Sequence, residues 1–424
     1  MSSLRFIHAA DLHLDSPFTG IKSTNEAVSQ HLCDATFKAY KNIIDLCLVE
    51  KVDALLLAGD LYDGADRSLR AQLALVDGLN RLDEAGIRSF ICFGNHDPLS
   101  GWEAKLDLPP LCHRYGPDVE AIPLDPDNPG KAMVYGVSYP KRDVQDNLAQ
   151  RFHDLHTNGA FTIGLLHCNV AGNTEHERYA PCSMDDLTGN GIDYWALGHV
   201  HTRQVPREQG PAIVYPGNPQ GRNPKETGER GVYLVEVNDL GRVRLDFRPV
   251  DTVRWQQLDL IIDELSEEQA LIDRADEEVD RLLTQTDGRH LVYTLNIKGR
   301  GPLHKTVQRT DFQDDLQERI NDTWSERDPF AWCERLQVTT SPPIDREELR
   351  QAEDFVGDLL RFIDGAKKDD ALLNELGDEL QALLGHSQAK RYLDESALTQ
   401  ENLLQWMADA ETRCLDHLIQ EEES

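Results

Sequence analysis

Short, continuously apolar runs alternate along the first half of the chain with longer stretches in which apolar positions recur every three or four residues. The runs cover residues 4–10, 52–58, 87–93, 162–166 and 194–197. Their length and lack of alternation predict strands buried on both faces. Between them, Phe37, Tyr40, Ile43, Ile44 and Cys47 mark a helix over residues 34–50. Leu69, Leu73, Leu75, Val76, Leu79 and Leu82 mark another over 68–84. Strands alternating with helices imply an α/β fold, a layered sandwich of sheets flanked by helices. A hairpin over 231–237 and 243–247, turning at 238–241, closes a first domain at about residue 250. An acidic helix (266–283), a strand (291–297), a helix (312–324) and a strand (336–339) then predict a small α/β domain over 251–341. Ser341-Pro342-Pro343 reads as a linker. Amphipathic helices over 346–363, 371–384 and 400–419 make residues 342–424 a helical C-terminal region.

Each apolar run of the first domain stops at a polar motif: Asp11-Leu12-His13, Gly59-Asp60-Leu61-Tyr62-Asp63, Gly94-Asn95-His96-Asp97, His167, and Gly198-His199-Val200-His201. Carboxyl ends of strands are where such folds place their sites. Mixed carboxylate, amide and imidazole donors suit manganese or iron better than calcium. The set is large enough for two ions, which together clamp the attacking and leaving oxygens of a displacement at phosphorus. Asp60 is the natural bridge, with Asp11, His13 and His201 completing one shell and Asn95, His167 and His199 the other. The Asp-x-His and His-x-His spacings let each pair leave an extended segment on one side. His96 is surplus to the ligands and adjacent to one, fitted to donate a proton to the leaving oxygen or to stabilise phosphoryl charge.

At these motifs the sequence resembles the calcineurin-like metallophosphoesterases, and within them the SbcD-type DNA repair exonucleases. Its opening run, from His8 to Phe18, and the later Tyr215-Pro216-Gly217-Asn218-Pro219-Gln220-Gly221-Arg222 resemble the YhaO-like branch most closely. The resemblance implies the metallophosphoesterase sandwich, a capping domain over 251–341, and His96 as the catalytic histidine. It also implies a DNA substrate and an ATPase partner carrying a long coiled coil; the apolar face over 353–366 is read either as packing within this chain or as the place where that partner docks. Manganese is the expected metal, with iron, magnesium or zinc as alternatives, and a homodimer is kept open. Some nuclease relatives have a histidine where this chain has Asp63, so Asp63 is read equally as catalytic or as orienting a ligand imidazole. Asp97 is a second candidate of the latter kind. Where phosphoprotein phosphatases carry Glu after Gly-Asn-His, this chain has Asp97, which disfavours that activity. The main alternative to a nuclease is a stand-alone phosphodiesterase for small cyclic or linear nucleotides.

Charge complicates the DNA reading. The chain carries 43 basic and 75 acidic side chains, a net charge of −32, most acidic beyond residue 250. DNA affinity comes largely from cations that displace counterions, and no basic stripe is visible. Arg203, Arg222 and Arg230 are expected near the site, with a partner supplying further grip. The eight cysteines form no Cys-x-x-Cys pair, which fits free thiols in a reducing cytoplasm; Cys92 and Cys168 flank ligands but read as small core residues. His8 is expected in the core or behind a ligand, and His113, His153, His156 and His176 in solvated segments. No apolar run is long enough to cross a membrane, and the first residues enter a strand without a cleavable signal pattern.

Overall fold

The computed structural model describes residues 4–16, 25–64, 68–152, 155, 159–170, 179–344, 346–384 and 399–422. These form two compact units, one of residues 1–260, 272–296 and 310–337, the other of 261–271, 297–309 and 338–424.

The first unit is built on two six-stranded sheets. Their strands, in chain order, are β1 (Leu4–Ala9), β2 (Ala54–Ala58), β3 (Arg88–Cys92), β4 (Cys112–Arg114), β5 (Glu120–Pro123), β6 (Ala132–Gly136) and β7 (Phe161–His167). A two-residue ribbon of β8 (Asn169–Val170) and β9 (Pro181–Cys182) follows. Next come β10 (Tyr194–Gly198), β11 (Gln204–Arg207), β12 (Ala212–Tyr215), β13 (Gly231–Val237) and β14 (Val243–Pro249). One sheet runs β14-β13-β1-β2-β3-β4 and the other β11-β12-β10-β7-β6-β5. The five predicted strands are the parallel centres of these sheets. The predicted hairpin is β13 against β14, paired from Gly231↔Pro249 to Val237↔Val243.

Side-chain alternation explains why these runs read as wholly apolar. In β1, Phe6 faces the inter-sheet core with Leu56, Ile163, Leu165, Tyr194 and Ala196, while Ile7 and Ala9 face the helices with Leu55, Leu57, Ile43 and Leu79. Helices α1 (Glu26–Glu50) and α2 (Leu69–Glu84) cover that outer face. The second sheet's outer face is closed differently from the expected helical layer. Trp195, Leu197 and Leu166 pack there under Leu148, Phe152 and Leu187 of two short 3-10 turns and their loops.

Helix α1 begins earlier than expected, at Glu26, where the Asn25 side chain accepts a hydrogen bond from the Val28 amide (3.2 Å). Its added turns bury Val28 and Leu32, together with Ala35 of the expected part, against Val253, Trp255, Val292 and Trp332. The last four belong to a three-stranded sheet of β15 (Val253–Ile261), β16 (His290–Arg300) and β17 (Ala331–Ser341), most of which lies in the first unit. Helices α3 (Glu268–Thr284), α4 (His304–Val307) and α5 (Thr310–Trp324) lie between these strands in sequence.

The second unit contains the C-terminal helices. The helix expected over 346–363 is two: α6 (Arg346–Gln351) and α7 (Phe355–Ala366). Asp354 breaks it by capping α7, its carboxylate accepting from the Gly357 amide (2.8 Å). Two further helices, α8 (Asp370–Leu384) and α9 (Gln400–Glu422), follow. Val356 and Leu360 of α7 bury against Leu415 of α9, whereas Phe355 and Phe362 stay 69% and 66% exposed. Among the described residues no helix is long and apolar enough to cross a membrane.

Candidate metal centre

Parallel pairing of β1, β2 and β3, and of β7 and β10, brings five strand ends to one edge of the sandwich. The two sheets meet there at backbone distance. The His167 Nδ1–H donates to the Ala58 carbonyl (2.9 Å), and a Cβ on Gly198 would stand 1.8 Å from that same oxygen. Only glycine allows this approach. The Asp-x-His geometry differs from the extended one anticipated. Asp11, His13 and Asp60 sit in left-handed backbone, at φ 53°, 43° and 51°, and His199 is at φ 100°. Such conformations cost free energy and persist where surroundings impose them. Here the Asp11, His13 and Leu14 amides donate to the carbonyls of Gly59, Asp60 and Leu61 at 2.9–3.0 Å.

The structure brings all seven candidate ligands together. Asp11, His13 and His201 offer donor atoms within 4.8 Å of one another, as do Asp11, Asp60 and His167. His13 Nε2 faces His201 Nε2 at 3.1 Å, while the Asn95 Oδ1 lies 3.0 Å from His167 Nε2 and 3.3 Å from His199 Nδ1. Asp60 Oδ2 stands 3.4 Å from His167 Nε2 and 4.0 Å from His13 Nε2, so one carboxylate reaches both groups. Asp11 also accepts from the His199 amide at 3.0 Å.

The donor chemistry fits divalent ions. Because His167 gives its Nδ1 proton to Ala58, its Nε2 is the nitrogen that faces the centre, able to ligate once its proton is displaced. Glu226 does the same for His201, its Oε1 lying 2.9 Å from Nδ1. His13 Nδ1 is buried, 3.1 Å from Asp63 Oδ1 but without an aligned hydrogen bond. Burial pushes the His13 imidazole down to about 3 and keeps it neutral. His167 goes the other way: against the cost of burial, the Asp60 carboxylate draws it up to about 9. Burial opposes the ionised form of Asp60, but His167 and the neighbouring imidazoles hold it well below the usual carboxylate range. Replacing a shared proton by cations relieves this buried pair.

His96 stands beside these groups and shares a third cluster, with His13 and Asp63, whose donor atoms lie within 4.8 Å of one another. Its side chain is 34% exposed, its ring is edge-on to His13 at 5.0 Å, and its Nδ1 lies 3.2 Å from the Asp63 carbonyl. Its backbone amide donates to Asp60 Oδ1 (2.9 Å). Asp63 is tied to Arg222 (2.9 Å), and its Oδ1 stands 3.1 Å from His13 Nδ1 and 3.9 Å from His96 Nδ1, which places it behind two imidazoles. Asp97 is fully buried and accepts from the Leu61 and Gly94 amides (2.6 and 2.7 Å), tying two ligand loops together.

Sequence reasoning missed Glu226. Its other oxygen accepts from Asn218 Nδ2 (2.9 Å) and the Arg222 amide (2.7 Å), so the Tyr215–Arg222 motif serves as a cradle for the His201 partner. Although burial opposes it, the His201 contact holds the Glu226 carboxyl far below its usual range. A metal-ligating histidine in general needs a carboxylate, carbonyl or water behind its other nitrogen, but nothing local marks Glu226 among its acidic neighbours. Glu226→Gln is expected to weaken metal binding about 10- to 100-fold, most at the ion that His201 touches. Metal titration of the purified variant checks this, and unchanged affinity would dismiss the role.

The other expectations divide. Arg222 is engaged by Asp63 and Ser16. Arg230 is buried, donating to the His201 carbonyl and Asn218, so neither arginine is a free phosphate contact. Arg203 is exposed and stacks on Phe247 (3.8 Å). His8 is a core residue joining the sheets through Tyr194 Oη (3.0 Å) and the Leu197 carbonyl (3.2 Å), and burial pushes it down to about 3. His113 pairs with Glu120. Pro17, Phe18, His153, His156 and His176 lie outside the described residues. All eight cysteines are free; Cys92 and Cys168 are buried, with Cys168 Sγ 3.7 Å from Cys182 Sγ.

Comparison with known proteins agrees with this geometry. The calcineurin-like phosphoesterase profile matches residues 4–203, and that of the metallophosphoesterase YhaO middle domain matches residues 255–341. The uncharacterized metallophosphoesterase YhaO of Bacillus subtilis is 35% identical over 93% of both chains. The chain therefore belongs to the calcineurin-like metallophosphoesterases, in their YhaO branch. The DNA double-strand break repair protein Mre11 of Sulfurisphaera tokodaii is 27% identical over 50% of this chain and 53% of its own length. The D component of the nuclease SbcCD of Bacillus subtilis is 24% identical over 60% of this chain and 69% of its own.

Proposed function

We propose that this metallophosphoesterase is a two-metal phosphodiesterase acting on DNA, working as the nuclease subunit beside a coiled-coil ATPase. The observation that carries the reading is Asp60, within reach of both ligand groups, with the His96 backbone amide hydrogen-bonded to it. Asp11, His13 and His201 would hold one ion and Asn95, His167 and His199 the other, bridged by Asp60. Two divalent ions, manganese by preference, neutralise phosphoryl charge and activate the nucleophile when bound. His96 protonates or stabilises the departing oxygen; Glu226 orients His201 through its hydrogen bond, and the Asp63 carboxylate stands close behind His13.

DNA as substrate draws support from the likeness to proteins named for double-strand break repair and for the nuclease SbcCD. The net charge of −32 argues that this chain needs a partner for grip. Turnover of duplex DNA and of cyclic nucleotides in manganese is the direct test. DNA cleavage is expected to dominate, and cyclic nucleotide hydrolysis without DNA cleavage would replace this reading by a small-molecule phosphodiesterase.

The ATPase would dock in the C-terminal helical region. Within it, Phe362, Ala366, Leu372, Leu373, Leu376 and Met407 line an apolar cavity of about 350 Å³. Phe355 and Phe362 are exposed enough to be changed without emptying the core. Replacing both by Asp is expected to abolish co-purification with the co-expressed ATPase while sparing hydrolysis of bis(4-nitrophenyl) phosphate. Co-purification at the original level would reject docking here.

A further inference from the structure

Trp195, Trp255, Trp324 and Trp332 of the first unit are buried, but Trp102 is 54% exposed. It lies on the segment that leaves the carboxyl end of β3 directly after Asn95, His96 and Asp97. That segment is anchored. The Leu99 and Ser100 amides donate to the carbonyls of Tyr139 (2.9 Å) and Pro140 (3.2 Å), and the Ala104 amide donates to Gln72 Oε1 (2.8 Å).

The stretch beside it follows β6, whose carboxyl end lies parallel to that of β7 and its terminal His167. Tyr139 packs edge-on against the His167 ring at 5.6 Å and fixes this second segment at the metal centre. Its next residues, Lys141 and Arg142, are exposed and make no ion pair among the described residues. The nearby Glu103 is neutralised by Arg114 (2.6 Å), and Asp143 accepts from Gln145 (2.5 Å). An exposed indole and two cations without an ion pair among the described residues thus sit on adjoining segments that leave the metal centre.

We infer that Trp102, with Lys141 and Arg142 beside it, forms a platform on which an unpaired nucleobase of the substrate strand stacks while the cations hold its phosphates. Stacking on an aromatic face tolerates any base, because every base has a π-face. A base inside a duplex has that face covered, so the platform selects single-stranded or frayed ends. The inference rests on the DNA reading above and adds the form of DNA.

The full-length protein, in manganese, should be assayed on oligothymidylate and on an abasic oligomer of equal length. The expected KM is about 10-fold lower for oligothymidylate, the scale of one stacked base. Trp102→Ala should remove that difference by raising KM on oligothymidylate alone, and Trp102→Phe should restore most of it. Trp102→Leu, which keeps apolar bulk without a π-face, gives the same readout should the alanine variant lose its fold. Lys141→Gln with Arg142→Gln should raise KM on both oligomers and flatten its salt dependence by about 0.7 for each phosphate no longer held. Equal wild-type KM for the two oligomers, or a preference that survives in both Trp102→Ala and Trp102→Leu, would overturn the platform while leaving the nuclease reading intact. Cleavage of neither oligomer while duplex DNA is still cut would overturn the platform alone; loss of duplex cleavage as well, with bis(4-nitrophenyl) phosphate still hydrolysed, would overturn the DNA reading and the platform with it.

Discussion

Asp60→Asn is expected to all but abolish phosphodiesterase activity, by about 10³-fold in kcat, the upper end of the scale on which losing one aligned electrostatic partner is felt, and to empty both metal positions together. The substitution keeps shape but replaces an anionic oxygen by an amide nitrogen or a weaker carbonyl. Asp60 Oδ1 accepts from the His96 amide while Oδ2 stands between His167 and His13. Whichever way the amide turns, either a donor nitrogen faces imidazole nitrogens or the hydrogen bond from the His96 loop is broken. A Cβ on Gly94 would lie 2.3 Å from Asp60 Oδ1, so the packing leaves little room to turn away. Elemental analysis of the purified variant and turnover of bis(4-nitrophenyl) phosphate decide the matter. Two ions retained with normal turnover would sink the bridging role.

His96→Ala separates holding metal from doing chemistry. It is expected to retain both ions and lose about 10²- to 10⁴-fold in kcat, the range of a general acid or a charge-stabilising group. The reason lies in which atom touches the bridge. His96 reaches Asp60 through its backbone amide, which alanine keeps, while its imidazole rests on the Asp63 carbonyl and against His13. Truncation therefore removes the ring without releasing the bridging carboxylate. His13, Asp63 and His96 also have donor atoms within 4.8 Å of one another. Metal loss in step with activity would make His96 a ligand in that cluster, and metal analysis beside the rate measurement separates the two outcomes.

Much of this protein is legible from local pattern, because its central strands are buried on both faces and its ligands follow them directly. The apolar runs mark β1, β2, β3, β7 and β10 to within a residue or two, and each is followed within two residues by a buried polar side chain. Asp11, Asp60, Asn95, His167 and His199 stand out for that reason: a polar residue at such a position is costly to bury unless it binds something. Helix α2, with its Ser68 cap and clear apolar face, is equally visible.

What only the tertiary structure decided depends on contacts between distant segments. Helix α1 starts at Glu26 because Val28, Leu32 and Ala35 meet a sheet whose strands lie far along the chain, at Val253, Val292 and Trp332, a surface that local polarity gives no sign of. Short edge strands such as β4, β5 and β11 exist through pairing, since an isolated ladder of three or four residues has little stability of its own. The left-handed backbone at Asp11, His13 and Asp60 is imposed by hydrogen bonds between two neighbouring loops. Glu226 meets His201 from 25 residues along the chain, and no periodicity relates them. Composition and order of residues determined which side chains could carry the chemistry. Close approach of the two sheets, at Gly198 against the Ala58 carbonyl, decided where those side chains converge, because only a folded core can hold so many polar groups together against their desolvation.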